Sequence, residues 1–287
     1  MKTRIISALV IVVIGMTCVV IGGYVMAALV LFIAAVGLHE FYKAFENKGY
    51  KPVYTVGYLY VGLLLLQVIS GSAEMTDIYF SNVKAIAHIN WFPLIQLFIL
   101  LSLLALCVFK HNKHNIADIA VTILGGYYVV YLSSFFISVR QLDGGKGGLY
   151  MFILVILGCI SADTFAYFIG CKFGKHKLIP AVSPKKSVEG SVAAFVGAAL
   201  MLSIYGVIMI QTGVFTEVKL LHYPILGLII GGLAQIGDLT ASAAKRYTGV
   251  KDFGKLIPGH GGILDRVDSY IFVFPIAYYY LSLVVLR

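Results

Sequence analysis

The chain has 287 residues, of which 60% are hydrophobic and only 12% are charged. A soluble domain of this composition could not cover its surface with polar atoms, so the composition excludes that class and indicates a polytopic membrane protein. The net charge of +9 does not indicate a nucleic-acid-binding protein, because the cations lie in short loops between apolar runs.

Apolar stretches recur along the whole chain, and a membrane span needs about 20 mostly apolar residues. The candidate spans cover about 5–22, 24–39, 53–71, 91–109, 118–138, 149–170, 191–211, 222–240 and 269–286. The first two follow each other with barely a break, which favours two uncleaved helices over a signal peptide. The predicted fold class is therefore all-α, with about nine transmembrane helices.

The distribution of cations predicts the orientation. With the N-terminus inside, all but five of the 22 Lys and Arg residues fall on the cytoplasmic side of these spans. The exceptions are Lys84, Arg140, Lys146, Lys219 and Arg287. We therefore predict an N-in, C-out protein of the cell membrane. The outer loops at 72–90 and 139–148 carry no predicted chemistry.

The segment 40–51 follows the second span and mixes aromatic and charged residues. Phe41, Tyr42 and Phe45 predict an amphipathic extension of that span, lying at the membrane interface. Anchoring is favoured over a role in catalysis for this segment.

A polar stretch from Asp163 to Gly190 begins within the sixth span and continues as a basic cytoplasmic loop, predicted at 171–190. It lacks the phosphate-binding GxxxxGK[ST] pattern. Ser187 is predicted to cap the helix that follows, so that the helix amides point at an anion. Two interpretations of Asp163 stay open: contact with a cation or nucleotide, or helix packing through a hydrogen bond to a neighbouring hydroxyl.

The most polar long stretch runs from Gln235 to Asp268 and includes a second cytoplasmic loop, predicted at 240–269. It combines aspartates, lysines and arginines with a Pro-Gly-His-Gly-Gly run around His260. Carboxylates that hold a divalent ion, cations that neutralise phosphate and glycines that expose backbone N–H groups are typical of metal-assisted phosphate chemistry.

This stretch resembles the signature of the phosphatidate cytidylyltransferase, or CDP-diacylglycerol synthase, family. The matching positions are Ser242, Lys245, Arg246, Lys251, Asp252, Gly254, Ile257, Pro258, His260, Gly261, Gly262, Asp265, Arg266 and Asp268. Gly237-Asp238-Leu239 and the segment 183–190 also look like family features. Three positions depart from the pattern: Ala244, Phe165 and Cys171. The first should alter packing only, and the other two weaken the assignments around Asp163 and Cys171.

The resemblance implies that CTP and phosphatidate react to give CDP-diacylglycerol and pyrophosphate. It implies Mg²⁺, with Mn²⁺ as a substitute and an additional monovalent cation left open, and it implies a homodimer in the lipid bilayer. Asp238 and Asp265 are the expected metal ligands. Asp268 would complete the metal shell or orient Arg266, and His260 would donate to phosphate or protonate the departing pyrophosphate.

The predicted site can be divided by role. The catalytic residues are Asp265, Asp268, His260 and Lys251. The substrate-binding residues are Lys245, Arg246, Arg266, Ser183, Lys185, Lys186 and Asp163. Residues 1–110 are predicted to serve anchoring, packing or dimerisation, and residues 111–287 to form the catalytic region.

Two other functions fit the sequence less well. A CTP-dependent lipid-alcohol kinase would share a polytopic fold and nucleotide chemistry, but would release CDP. An ion-coupled transporter would explain Asp163 and Asp238 within spans. However, the sequence shows no inverted repeat, and its charges cluster on one predicted side.

Overall fold

The computed structural model describes residues 2–70, 91–214 and 218–286. The predicted outer loop at 72–90, with Lys84, lies outside them, as does Arg287. The helices are α1 Lys2–Ile21, α2 Gly23–Glu46, α3 Tyr54–Ser70, α4 Trp91–Phe109, α5 Ile116–Gly125, α6 Leu132–Gln141, α7 Lys146–Phe173, α8 Val188–Thr212, α9 His222–Thr248 and α10 Leu264–Tyr280. A π-helical turn, Gly126–Tyr131, joins α5 to α6, and a second one, Leu281–Val285, extends α10.

The prediction of an all-α polytopic membrane protein is confirmed, because each predicted span coincides with a helical stretch. Within the described residues, five helical runs are long and apolar enough to cross a membrane: Gly23–Glu46, Ile116–Phe173, Val188–Thr212, His222–Thr248 and Leu264–Val285. Shorter apolar helices cover Ile6–Ile21, Tyr54–Ile69 and Ile95–Phe109. The N-in, C-out orientation stays a prediction.

The run Ile116–Phe173 covers two predicted spans. Its direction changes at a 3-10 turn, Leu142–Gly145, where Asp143 has φ 49°, Gly144 has φ 62° and Gly145 has φ 87°. These left-handed values cannot continue a right-handed helix. The predicted loop at 139–148 is therefore a tight turn between two helices.

The chain forms two compact units. Unit 1 comprises Met1–Ser138 and Thr248–Asp265, and unit 2 comprises Val139–Tyr247 and Arg266–Arg287. The division predicted at residue 110 separates a region for anchoring, packing or dimerisation from a catalytic region. It stays a prediction.

Unit 1 is built around α2. Val30, Ala34 and Leu38 are fully buried. The Tyr42 hydroxyl donates to the carbonyl of Thr122 at 2.7 Å. Phe41 and Phe45 are buried as well, with their rings 4.7 Å apart. These side chains form the interior of the unit, so the prediction that they anchor the segment as an amphipathic surface is wrong. The position of the segment at the membrane interface stays a prediction.

Unit 2 packs its helices through small residues, as the glycine- and alanine-rich spans predict. A Cβ at Gly227 would lie 2.5 Å from the Cα of Ala199, and one at Gly231 would lie 2.9 Å from the Cα of Phe195. A Cβ at Gly197 would lie 2.2 Å from the Phe165 ring. The absent side chain at Gly197 thus leaves room for the larger residue by which position 165 departs from the family pattern.

A short antiparallel hairpin precedes α8, formed by β1, Lys177–Ile179, and β2, Ser183–Ser187. The hairpin lies within the segment 171–190, which is predicted from the sequence to be a loop. The predicted cap is confirmed, because the Ser187 hydroxyl accepts a hydrogen bond from the Gly190 amide at 3.2 Å. The cap fixes the end of β2 to the start of α8 and so fixes where the lysines of β2 lie.

Candidate active site

The hairpin lysines of unit 2 meet acids from two helices. The Lys186 ammonium lies 2.5 Å from a carboxylate oxygen of Asp238, which is part of α9. Asp163, on α7, lies within electrostatic range of both charges. Two acids thus share one lysine, an arrangement that leaves carboxylate charge available to a further cation.

A cavity of about 230 Å³ opens beside these groups. Its lining includes Asp163, Lys185 and Lys186, together with Ser187 at the start of α8. Lys185 is exposed, and Lys186 keeps a quarter of its side chain accessible. The cavity therefore offers two cations and a helix N-terminus to an anion, next to acids that can hold a metal ion.

Glycines allow α7 and α8 to approach at this cavity. A Cβ at Gly190 would lie 2.7 Å from the carbonyl oxygen of Ala166, and one at Gly174 would lie 2.6 Å from the Ser187 hydroxyl. The first turn of α8 consequently lies against the last turns of α7, the helix that carries Asp163.

The end of α9 and the start of α10 form a second charged contact in unit 2. The Lys245 ammonium lies 3.9 Å from a carboxylate oxygen of Asp268, and both side chains are almost buried. Asp268 also accepts a hydrogen bond from the Ser269 amide at 2.8 Å. These contacts fix Asp268 beside Lys245, and a Cβ at Gly237 would lie 2.9 Å from the Asp268 carbonyl oxygen.

The remaining predicted substrate-binding residues of unit 2 lie at its surface. Arg246 is exposed and donates through Nε to the carbonyl of Val182 at 3.4 Å, beside the hairpin. Arg266 is exposed, and Ser183 is half-buried at the start of β2. The arginines therefore have accessible guanidinium groups, which can pair with phosphate in a bidentate manner.

In unit 1, Asp265 organises the glycine-rich loop. One of its carboxylate oxygens accepts hydrogen bonds from the amides of Phe253, at 2.8 Å, and Gly262, at 3.0 Å. The residue is 7% exposed, so these bonds replace water that burial removes. Asp265 thus closes the loop from 253 to 262 onto the first turn of α10.

Glu40 supports the same loop from α2. Its two carboxylate oxygens accept hydrogen bonds from the amides of Ile263, at 3.1 Å, and Leu264, at 2.9 Å. It is buried, at 6% exposure. This residue was not predicted from the sequence; the one available signal was an acid directly after the apolar run of the second span, where a charge is costly unless it is paired.

His260 is held by α1. The Ser7 hydroxyl donates to the carbonyl of Pro258 at 3.1 Å and lies 2.9 Å from His260 Nδ1. Both contacts are satisfied when Nδ1 carries the hydrogen and donates to Ser7 Oγ, which leaves Nε2 as the acceptor of the neutral ring. Lys251, in the same loop, is exposed.

The acids of the site are of the kind that can hold Mg²⁺. Within residues 2–70, 91–214 and 218–286, no group of three His, Cys, Asp or Glu side chains forms a metal centre. Mg²⁺ is often held by one or two carboxylates together with substrate phosphates and water. The chemistry of Asp238 and Asp265 fits that role, while their predicted convergence on one ion stays a prediction.

The predicted site residues are thus divided between the units. Lys251, His260 and Asp265 belong to unit 1, and the other predicted residues belong to unit 2. Within unit 2, the structure brings together Lys186, Asp238 and Asp163, and separately Lys245 and Asp268. Within unit 1, Asp265 and His260 belong to the loop that Glu40 and Ser7 support.

Contacts between lysines and acids, in a chain of apolar helices, define a membrane protein with a cluster of charged side chains. Comparison with known proteins makes the class specific. The family model described as "Cytidylyltransferase family" matches residues 2–284, and the chain belongs to this family. It is a nucleotidyltransferase.

Three curated relatives match nearly the whole chain. The "Phosphatidate cytidylyltransferase" of Synechocystis sp. is 33% identical over 304 aligned residues, which cover 98% of this chain and 96% of the relative. The protein of the same name from Bacillus subtilis is 31% identical, over 99% of this chain and 98% of the relative. A third, from Staphylococcus haemolyticus, is 30% identical over 96% of this chain and 97% of the relative.

Proposed function

We propose that this nucleotidyltransferase transfers the CMP moiety of CTP to phosphatidate, giving CDP-diacylglycerol and pyrophosphate. The observation that carries the proposal is the cluster of Lys186, Asp238 and Asp163 beside a cavity in a chain of membrane helices. A lipid phosphate and a nucleotide are both anions, and the lysines of this cluster can neutralise them where they meet. The names of the relatives point to the same reaction.

The reaction must bring two polyanions together. An oxygen of the phosphatidate phosphate attacks the α-phosphorus of CTP, and the bond from that phosphorus to the bridging oxygen of the β-phosphate breaks. Pyrophosphate leaves with the bonding electrons. Since the lipid phosphate is already ionised at neutral pH, no strong base is needed, and catalysis consists mainly of positioning and charge neutralisation.

Most of the predicted residues have a role in this scheme. Lys185 and Lys186 bind phosphate oxygens in the cavity, and Arg246 and Arg266 add bidentate contacts. Asp163 and Asp238 orient the lysines and supply carboxylate oxygens. The Nε2 atom of His260 accepts a hydrogen bond in the neutral ring and, once protonated, donates to a leaving phosphate oxygen.

The proposal includes Mg²⁺ held by Asp238 and Asp265, with Mn²⁺ as a substitute. When bound, the ion would neutralise charge on phosphate oxygens. Asp268 supports the site through its contact with Lys245. A monovalent cation alongside Mg²⁺ is left open.

The distribution of lysine and arginine along the chain supports a site on the cytoplasmic side of the cell membrane. Phosphatidate would enter laterally between helices, with its acyl chains remaining in the bilayer. A homodimer is proposed from the family resemblance alone.

The decisive experiment combines purified protein in detergent with labelled CTP, phosphatidate and Mg²⁺. We expect a labelled lipid and pyrophosphate in equal amounts. Release of CDP with a phosphorylated lipid would instead identify a lipid-alcohol kinase. Absence of any CTP-dependent lipid product from folded protein would refute the proposed reaction.

A further inference from the structure

Glu40 makes hydrogen bonds that a role in anchoring α2 to the membrane would not require. Its carboxylate accepts hydrogen bonds from the amides of Ile263 and Leu264, the residues at which α10 begins. The first amides of a helix have no partner within the helix, and a side chain at the helix start usually satisfies them. Here that side chain comes from α2, more than 220 residues earlier in the sequence.

Two glycines of the signature leave the space that Glu40 occupies. A Cβ at Gly254 would lie 2.0 Å from one carboxylate oxygen of Glu40, and a Cβ at Gly262 would lie 2.4 Å from the other. Neither φ value is in the left-handed region. Backbone conformation therefore does not require glycine at these positions, whereas the approach of the Glu40 carboxylate does.

Asp265 completes the arrangement from within the loop. It accepts hydrogen bonds from the amides of Phe253 and Gly262, while Glu40 accepts those of Ile263 and Leu264. Two neighbouring carboxylates would repel each other, and the two also interact electrostatically. Four amides and the positive end of the α10 dipole offset that repulsion.

We propose that Glu40 is a positioning residue for nucleotidyl transfer: it fixes the first turn of α10 and thereby the orientation in which Asp265 presents its carboxylate. A role of Glu40 in nucleotidyl transfer rests on the proposed function. The hydrogen bonds of Glu40 to the start of α10 do not depend on it. A glutamine at this position would offer one oxygen and one NH₂ group, so one of the two amides would face a donor. An aspartate would be one methylene too short to reach both.

The test compares Glu40→Gln with Glu46→Gln, a matched control at an exposed residue in the last turn of the same helix. We expect kcat of Glu40→Gln to fall by on the order of 100-fold, because small displacements of reacting groups have effects of that size. The KM values for CTP and phosphatidate should change little, since a contact felt mainly in the transition state is affected. Glu46→Gln should retain wild-type kinetics.

Hydrogen exchange provides a readout without turnover. The amides of Ile263 and Leu264 should exchange on the order of tenfold faster in Glu40→Gln, which is the factor for one lost hydrogen bond. Exchange in α7 and α8 should be unchanged. Loss of activity only in proportion to unfolded protein, or folded Glu40→Gln with unchanged kcat, would overturn the proposal.

A variant cycle tests the glycine contact. Gly254→Ala alone should displace the Glu40 carboxylate and lower kcat, whereas Gly254→Ala added to Glu40→Ala should lower it little further. Gly62→Ala is the control, because a Cβ at Gly62 meets no atom within 4 Å. Multiplicative effects in the double variant would refute the contact. If wild-type protein makes no labelled lipid, the proposed function fails, while hydrogen exchange still decides whether Glu40 holds the loop.

Discussion

The substitution Asp265→Asn separates the structural role of Asp265 from its proposed role in the reaction. In the structure, a single carboxylate oxygen accepts both amide hydrogens, from Phe253 and Gly262. An asparagine can keep that oxygen in place, while it loses the charge and carries an NH₂ group in place of the other oxygen. Hydrogen bonds to charged groups contribute about 1.5 to 3 kcal/mol and neutral ones about 0.5 to 1.5 kcal/mol, so two bonds lose about 2 kcal/mol in all.

Part of that loss should be offset, because the substitution also removes repulsion between Asp265 and Glu40. Asp265→Ala, by contrast, leaves two buried amides without an acceptor, at about 1 to 3 kcal/mol each. A fold with about 5 to 15 kcal/mol of stability tolerates the first change far better than the second. Thermal unfolding in detergent should therefore rank wild type, Asp265→Asn and Asp265→Ala in that order.

Turnover should not follow this ranking. If Asp265 holds the metal ion, Asp265→Asn should lose on the order of 10³-fold in rate or more while remaining folded. The assay measures labelled CDP-diacylglycerol formed from CTP. Asp143→Asn is the control, since Asp143 is exposed in the turn before α7 and its left-handed φ suits asparagine. Wild-type turnover in folded Asp265→Asn would show that Asp265 takes no part in the reaction and serves only to hold the glycine-rich loop.

Three other predictions concern the metal ion and the cavity. Turnover should cease in excess chelator and return with Mg²⁺ or Mn²⁺; full activity in chelator would contradict the metal proposal. Lys186→Met should change the free energy of unfolding by less than about 1 kcal/mol, because its pair with Asp238 is partly exposed, yet raise the KM for CTP at least about tenfold. An unchanged KM would remove Lys186 from the nucleotide site. Cys171→Ser should be nearly silent, although Cys171 lines the cavity, and a large loss of activity would show that its thiol takes part.

The membrane helices could be predicted because hydropathy is a property of local sequence. A span must satisfy its backbone within itself, so about 20 apolar residues define a helix almost without reference to the rest of the fold. The cap at Ser187 could be predicted for the same reason, since its partner amide at Gly190 lies three residues away. The close packing at Gly227 and Gly231 follows from the abundance of small residues in those spans.

The hairpin before α8 could not be predicted in this way. Its strands have three and five residues, and β2 contains Pro184 and two lysines, a composition that is typical of a loop. The hairpin is stabilised by two contacts: β1 pairs with β2, and the Ser187 cap joins the end of β2 to α8. The basic composition is visible in the sequence, but the role of Lys186 depends on its contact with Asp238, on a helix that begins 35 residues after β2 ends.

Glu40 shows why a sequence signature describes only part of a site. Between 252 and 268, the signature reads as charged residues separated by glycines, and each glycine could be attributed to a turn. At Gly254 and Gly262 the cause is instead an acid on α2, whose carboxylate fills the place of two missing side chains. Such a cause cannot be found by inspecting the loop, because the partner is distant in sequence and resembles a helix residue in an apolar run. A buried acid in a membrane helix is stable only when hydrogen-bond donors lie close to it, and a glycine-rich loop can supply such donors from its backbone amides. Positioning contacts of this kind can therefore be sought in a sequence by considering acids of apolar helices together with glycine-rich loops.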